Sequence, residues 1–223
     1  MIEFKNVAYG YGGQDLLTEI SLSLAPGSFH FLTGPSGAGK TTFLKMCYSE
    51  LRATAGQVHL LGHDTRNMSR DQVAELRRKI GVVHQDCQFL DHLSVAENVT
   101  LPLSVSDKQS NSTDLNELMT WVGLSQRMDA LPAELSGGER QRVALARAVI
   151  MSPDVIIADE PTGNVDWDMS LRLLQLLIEL NKMGKTVIIA THDMHLIRQA
   201  KSQVQTRLLR IANRRIQQAE VDL

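Results

Sequence analysis

The stretch LTGPSGAGKTTFLK, residues 32–45, sets three glycines and a lysine within seven residues, directly after the apolar run FHFL at 29–32. Gly34, Gly37 and Gly39 can adopt backbone angles closed to other residues, so a loop built on them can wrap an object and aim several N–H groups inward. Residues 40–51 read as a helix, whose first turn offers unpaired N–H donors and partial positive charge. Strand, glycine loop and helix start together make an anion site. The spacing Gly34-x4-Gly39-Lys40-Thr41 fits a phosphate-binding loop. In such a loop the amides cradle the α- and β-phosphates of a nucleotide, Lys40 reaches the β- and γ-phosphates, and the Thr41 hydroxyl holds Mg²⁺. Pro35, Ser36, Ala38 and Thr42 complete this candidate nucleotide site.

Composition narrows what the loop belongs to. A chain of 223 residues with 43% hydrophobic and 4% aromatic content can bury a sizeable core and suits an α/β protein. The formal charge of −2 gives no basic footprint, which argues against nucleic-acid binding by phosphate neutralisation. Apolar runs such as 187–190 are far too short to span a bilayer, and the opening MIEFKNV has neither the charged start nor the apolar stretch of a signal peptide. The expectation is a chain in the cytosol. Cys47 and Cys87 match no metal or redox spacing and are expected to be ordinary thiols.

Strands and helices alternate along most of the sequence. Residues 2–8 and 17–24, the latter with Ile20, Leu22 and Leu24 at period two, read as strands of an antiparallel region, and 28–33 leads into the glycine loop. Further strands are expected at 57–61, 80–84, 154–158 and 186–190. The last two are continuous β-branched runs, as suits parallel strands covered on both faces. Helices are expected at 40–51, 70–79, 114–123, 137–151 and 167–183, with a final β region at 203–217. The polar run SVSDKQSNST, 104–113, reads as a surface loop or short linker. The pattern predicts one α/β domain over 1–223 with a P-loop nucleotide-hydrolase fold, an antiparallel β subdomain and a helical insertion from about 86 to 150.

A second informative stretch is LSGGERQRVALARAV, 135–149. Ser136 and Glu139 are spaced as a capping box, which accounts for the helix start. Gly137 and Gly138 need another reason, since each costs about 1 kcal/mol relative to alanine inside a helix. They expose N–H groups at a positive helix end, a second phosphate site that one nucleotide bound to one chain would not need. Here the sequence resembles the ATP-binding cassette ATPases, in which LSGGERQR is similar to the signature motif. The resemblance implies that Ser136, Gly137, Gly138 and Glu139 complete the nucleotide site of the opposite subunit in a head-to-tail homodimer that closes on ATP.

The resemblance extends over nearly the whole chain. VIIADEP, 155–161, is similar to the Walker B strand, which implies that Asp159 binds Mg²⁺ and that Glu160 orients or deprotonates the attacking water. Gln85 in VVHQD matches the glutamine that senses γ-phosphate and Mg²⁺, Asp166 in GNVD the aspartate between subunits, and His192 in ATHD the switch histidine at the γ-phosphate. Tyr11 matches the aromatic that stacks on adenine, with Tyr9 two residues away on the same strand face. With Glu160 and His192 both present, the resemblance implies an active ATPase using ATP and Mg²⁺.

Within the family, FLTGPSGAGKTTFLK, ADEPTGNVD and LNKMGKTVIIATHD resemble the FtsE cell-division branch. That branch implies a membrane partner similar to FtsX, a place on the cytoplasmic face of the bacterial inner membrane, and control of peptidoglycan hydrolases. The segment after Gln85, DCQFLDHLSVAENVTLPL, is where the family meets its membrane partner, with Phe89 and Leu90 as candidate anchors or core residues. His84 stands where relatives often carry an aromatic residue. The lipoprotein-release and macrolide-exporter ATPases share most of these motifs and form the alternative branch. A soluble cassette ATPase is disfavoured by the single cassette and the lack of any heptad run.

Overall fold

In the computed structural model, residues 2–106, 112–163 and 165–219 are described. In chain order the elements are β1 (Ile2–Tyr11), β2 (Gln14–Leu24), β3 (Phe29–Thr33), α1 (Lys40–Cys47), β4 (Ala55–Leu60), β5 (His63–Asp64), α2 (Arg70–Arg77), β6 (Ile80–Val83) and α3 (Val95–Val105). There follow α4 (Ser112–Trp121), α5 (Gly137–Val149), β7 (Val155–Asp159), α6 (Trp167–Lys182), β8 (Thr186–Ala190), α7 (Met194–Lys201), β9 (Thr206–Ala212) and β10 (Arg215–Ala219).

The strands form two sheets. An antiparallel sheet has the order β2-β1-β4-β5, and a second has the order β10-β9-β3-β8-β7-β6. In the second, β9, β3, β8, β7 and β6 run parallel, and only the β9–β10 hairpin is antiparallel. Every residue of β3, β7 and β8 is buried, the outcome expected of apolar runs covered on both faces. One face packs with α1 against the antiparallel sheet, through Phe4, Phe43, Met46 and Leu60. The other is covered by α5, α6 and α7, through Leu145, Leu173, Leu177 and Ile197. Truncating one such leucine to alanine would cost roughly 2–5 kcal/mol. A smaller core joins α3, α4 and α5 through Val95, Val99, Met119, Leu124 and Val143. The helix α5 thus serves two cores, with Ala144 and Leu145 in one and Val143 and Ala146 in the other.

Two helices lie where none was expected. α3 begins at a complete capping box, Ser94 with Glu97, and runs through Pro102 to Val105. The proline breaks the pattern of a good helix former, but the fully buried Asn98 anchors the helix start. Its Nδ2 donates to the carbonyls of Leu90, Leu93 and Ser94, and its Oδ1 accepts from the Leu90 amide. α3 therefore takes residues 104 and 105 from the expected surface loop, and 107–111 of that loop lie outside the described residues. α7 is capped by Asp193, which accepts from the amides of His195 and Leu196. The expected final β region resolves into a hairpin whose turn residues, Asn213 and Arg214, have φ of 50° and 63°. Among the described residues no helix is long and apolar enough to cross a membrane.

Candidate functional site

The chain leaves β3 at Thr33 and turns through residues 34–39 into α1. Gly39 lies at φ 100°, a conformation that calls for glycine, and a Cβ there would sit tight against the Leu17 side chain at 3.2 Å. Gly37, at φ 75°, faces open space, with no atom within 4 Å of a Cβ position. A ligand can therefore approach the main chain closely there. Lys40 folds over the loop, its Nζ donating to the carbonyls of Gly34 at 3.0 Å and Pro35 at 3.4 Å.

The parallel sheet brings three chain ends to this loop. β8 lies between β3 and β7, with Ala190 opposite Leu32 on one side and Asp159 on the other. The segments after β3, β7 and β8 therefore leave the same edge side by side, the place where open α/β sheets bind ligands. Thr41 Oγ1 donates to Asp159 Oδ2 at 2.6 Å. Burial pushes the Asp159 carboxyl above its ordinary value, with the Thr41 hydrogen bond opposing and the Glu160 charge adding to the rise. Glu160 sits at φ 48°, a conformation that costs a glutamate roughly 1–3 kcal/mol. The turn brings its carboxylate to 3.9 Å from Lys40 Nζ, and His192 Nδ1 lies 3.1 Å from each of its oxygens. Its amide is held by the Ala190 carbonyl at 2.9 Å.

These groups surround a cavity of about 690 Å³. Gly34, Pro35, Ser36, Gly37, Gly39, Lys40, Thr41 and Thr42 form one wall, and Gln85, Asp159, Glu160 and His192 the other. An adjoining groove of about 460 Å³ shares Leu16, Pro35 and Gly37 with it and is lined by Tyr11 and Ala38. Tyr11 is 57% exposed, while Tyr9 is buried beside it with ring centroids 5.0 Å apart. The two rings pack edge to face, and Tyr11, the last residue of β1, is the exposed one. Of the two tyrosines, Tyr11 is the one whose ring lines the groove.

The remaining predicted residues lie apart. Ser136, Gly137, Gly138, Glu139 and Asp166 are not among the described residues lining either space. Ser136 Oγ accepts from the Glu139 amide at 3.3 Å, and Glu139 Oε2 accepts from the Ser136 amide at 2.9 Å, so the capping box is formed. The Ser136 amide, with Arg127 also bonded at 2.9 Å, holds the Glu139 carboxyl below its ordinary value against the effect of burial. Ser136 and Gly137 are exposed. Asp166 caps α6 by accepting from the Met169 amide at 2.9 Å. Phe89 is half-buried, with the guanidinium groups of Arg140 and Arg147 at 5.2 and 4.9 Å from its ring, whereas Leu90 is 41% exposed. The buried Cys47 and Cys87 carry free thiols.

Sequence reasoning missed Leu16 and Gly163 in the cavity, and Asn213 and Arg214 in the groove. Nothing local marks Leu16 or Gly163. The asparagine before Arg214 is a turn signal, but its proximity to Tyr11 arises only from tertiary pairing, including the Thr18 amide donating to the Arg214 carbonyl at 2.8 Å.

Residues 17–163 match the ABC transporter family. The cell division ATP-binding protein FtsE of Haemophilus influenzae is 44% identical over 204 residues, 89% of this chain and 93% of that protein. FtsE of Bacillus subtilis is 42% identical over 207 residues, 92% and 91% of the two chains. Among solved structures, a dimeric post-hydrolysis state of the ATP-binding cassette MJ0796, bound to ADP and Pi, superimposes with a TM-score of 0.88 at 31% identity, covering 99% of this chain and 98% of that one. The architecture, the cavity at the ends of β3, β7 and β8, and these relatives agree: the chain belongs to the ATP-binding cassette family of ATPases, among the FtsE proteins.

Proposed function

We propose that the chain is the ATP-hydrolysing subunit of a bacterial inner-membrane complex serving cell division, acting as a homodimer on a membrane partner similar to FtsX. The observation that carries this reading is the convergence of Lys40, Thr41, Asp159, Glu160 and His192 on one cavity beside a glycine loop. Lys40 neutralises the β- and γ-phosphates, and the loop amides bind and orient the nucleotide. Glu160 orients or deprotonates the attacking water, with His192 holding its carboxylate and facing the γ-phosphate. Tyr11 stacks on the adenine.

The residues present fit Mg²⁺. A hydroxyl and a buried carboxylate 2.6 Å apart are hard oxygen donors, and a site with few protein ligands suits an ion that keeps waters and shares nucleotide phosphates. Thr41 and Asp159, with Gln85, would hold it, and the bound ion would supply charge neutralisation at the phosphates.

Dimerisation is supported by the exposed Ser136 and Gly137, which lie away from the chain's own cavity, and by the dimeric state of the MJ0796 structures. The partner surface falls on the open groove of about 560 Å³ along β6, lined by Val82, His84, Gln88, Leu101, Pro102 and Val105. Val105 on this groove is 70% exposed, and of the two candidate anchors after Gln85, Leu90 at 41% exposed is freer than the clamped Phe89. Attachment through such a partner places the chain at the cytoplasmic face of the membrane.

The test is to purify the Glu160→Gln protein with ATP from detergent-solubilised bacterial membranes and identify its companions by mass spectrometry. The expected outcome is loss of hydrolysis, an ATP-dependent dimer, and a small membrane protein with an extracytoplasmic domain. Hydrolysis equal to the parent would remove Glu160 from its role. Recovery of a lipoprotein-release or efflux permease would move the chain to the export branch, and ribosomes or no membrane protein would overturn the coupled reading.

A further inference from the structure

The segment after Gln85 is tied to α5 by several side chains. Arg147 Nη2 donates to the Cys87 carbonyl at 2.7 Å and Nη1 to the Gln88 carbonyl at 2.9 Å. The same guanidinium lies 4.9 Å from the Phe89 ring centroid, and Arg140 approaches that ring to 5.2 Å. Nearer the start of α5, Gln141 Nε2 meets the Gln85 carbonyl at 3.5 Å, a weak bond.

The two carbonyls Arg147 takes belong to strained residues. Cys87 and Gln88 lie at φ 55° and 35°, left-handed conformations that side-chain-bearing residues adopt only where the surroundings impose them. A planar guanidinium fork suits two adjacent carbonyls, which an ammonium cannot engage in the same fixed geometry. Burial lowers the Arg147 pKa from its usual range, as expected of a cation withdrawn from solvent to make these bonds. Gln85 itself is exposed on the cavity wall, two residues before the first strained position.

We propose that Arg147 is a positioning residue for the reaction: by holding residues 87 and 88 in their left-handed turn, it fixes the entry of the segment and sets where Gln85 projects into the cavity. The role rests on the ATPase reading above, in which Gln85 faces the nucleotide. It also ties residues 87 and 88 to the helix whose opposite end presents Ser136 and Gly137, so a shift of α5 is passed to Gln85 through the backbone of that turn.

The full chain is compared with Gln85→Ala, Arg147→Met, Arg147→Lys and Gln85→Ala/Arg147→Met for ATP hydrolysis, nucleotide binding and thermal unfolding. Arg147→Met is expected to lower kcat roughly tenfold while nucleotide Kd stays within about threefold, a split that a simple loss of fold would not give. Arg147→Lys, which keeps the charge and one donor direction, is expected to fall between the two and carries the test if the methionine variant fails to fold. The decisive readout is coupling: the double variant should hydrolyse no more slowly than Gln85→Ala alone. Independent effects that multiply, or a folded Arg147→Met or Arg147→Lys with the parent's kcat, would overturn the proposal. Absence of hydrolysis in the parent would reject the ATPase reading itself, and this role with it.

Discussion

Asp159 is 8% exposed, accepts a hydrogen bond from Thr41 and has its carboxyl pushed above the ordinary 3.8 by burial. A protonated carboxyl does not bind a cation, so Mg²⁺ affinity and hydrolysis should fall as pH drops through this raised pKa, at higher pH than an ordinary aspartate would allow. Stability should move the other way. A fold that takes up a proton more readily than the unfolded chain gains stability as pH falls across that window. Mg²⁺ titrations of hydrolysis by the parent, alongside urea unfolding of the nucleotide-free parent and Asp159→Asn at stepped pH, check this: the parent's stability relative to the variant should rise as pH falls, and a difference that does not change with pH would remove Asp159 as its source. At this scale the sequence was informative because phosphate chemistry restricts residue types. Lys40, Thr41, Asp159, Glu160 and His192, picked out from separate motifs, all line one cavity. Arg147 was not legible, since a basic residue on a helix gives no hint that its fork closes on carbonyls some 60 positions away.

β3 carries a different titration. His30 is 1% exposed, and burial, helped by the charge of Arg207 across the β3–β9 ladder, lowers its pKa from 6.5 to about 4. The fold keeps the imidazole neutral while the unfolded chain protonates it. Stability should therefore be lost as pH falls from 6.5 towards about 4, by roughly 3 kcal/mol over the full window. His30→Leu should flatten this acid loss in urea unfolding series, and an unchanged slope would assign it to other groups. The elements themselves were legible where one physical signal dominated. The buried β-branched runs became β7 and β8, and the capping box at Ser136 became the start of α5. α3 was hidden by Pro102 although its own box, Ser94 with Glu97, was present, and α7 was too short for periodicity to declare it.

For the molecule as a whole, the separation of the cavity from the exposed start of α5 is what the proposed homodimer rests on. Ser136→Arg should abolish hydrolysis by blocking approach of the partner, yet leave nucleotide binding by the monomer intact. Ser136→Ala, which removes the cap without adding bulk, should cost about 1 kcal/mol of stability. Nucleotide affinity of the monomer, its ATP-driven association and its turnover separate these effects. Loss of binding in the Ser136→Arg monomer would overturn the cross-subunit arrangement. In the sequence the proposal of a second copy rests on two glycines at a helix start, whereas which residues share a cavity depended on sheet order.

That sheet order also governs when the site can exist during synthesis. β3, the strand feeding the glycine loop, is flanked by β8 and β9, so its ladder partners are translated more than 150 residues after it. Until they emerge, the loop has a strand with no sheet. Such distant pairings are slow to form because the intervening chain must first be ordered. Nucleotide binding is therefore a property acquired only once β8 and β9 have emerged, and a growing chain should not sequester ATP before that last parallel strand is in place.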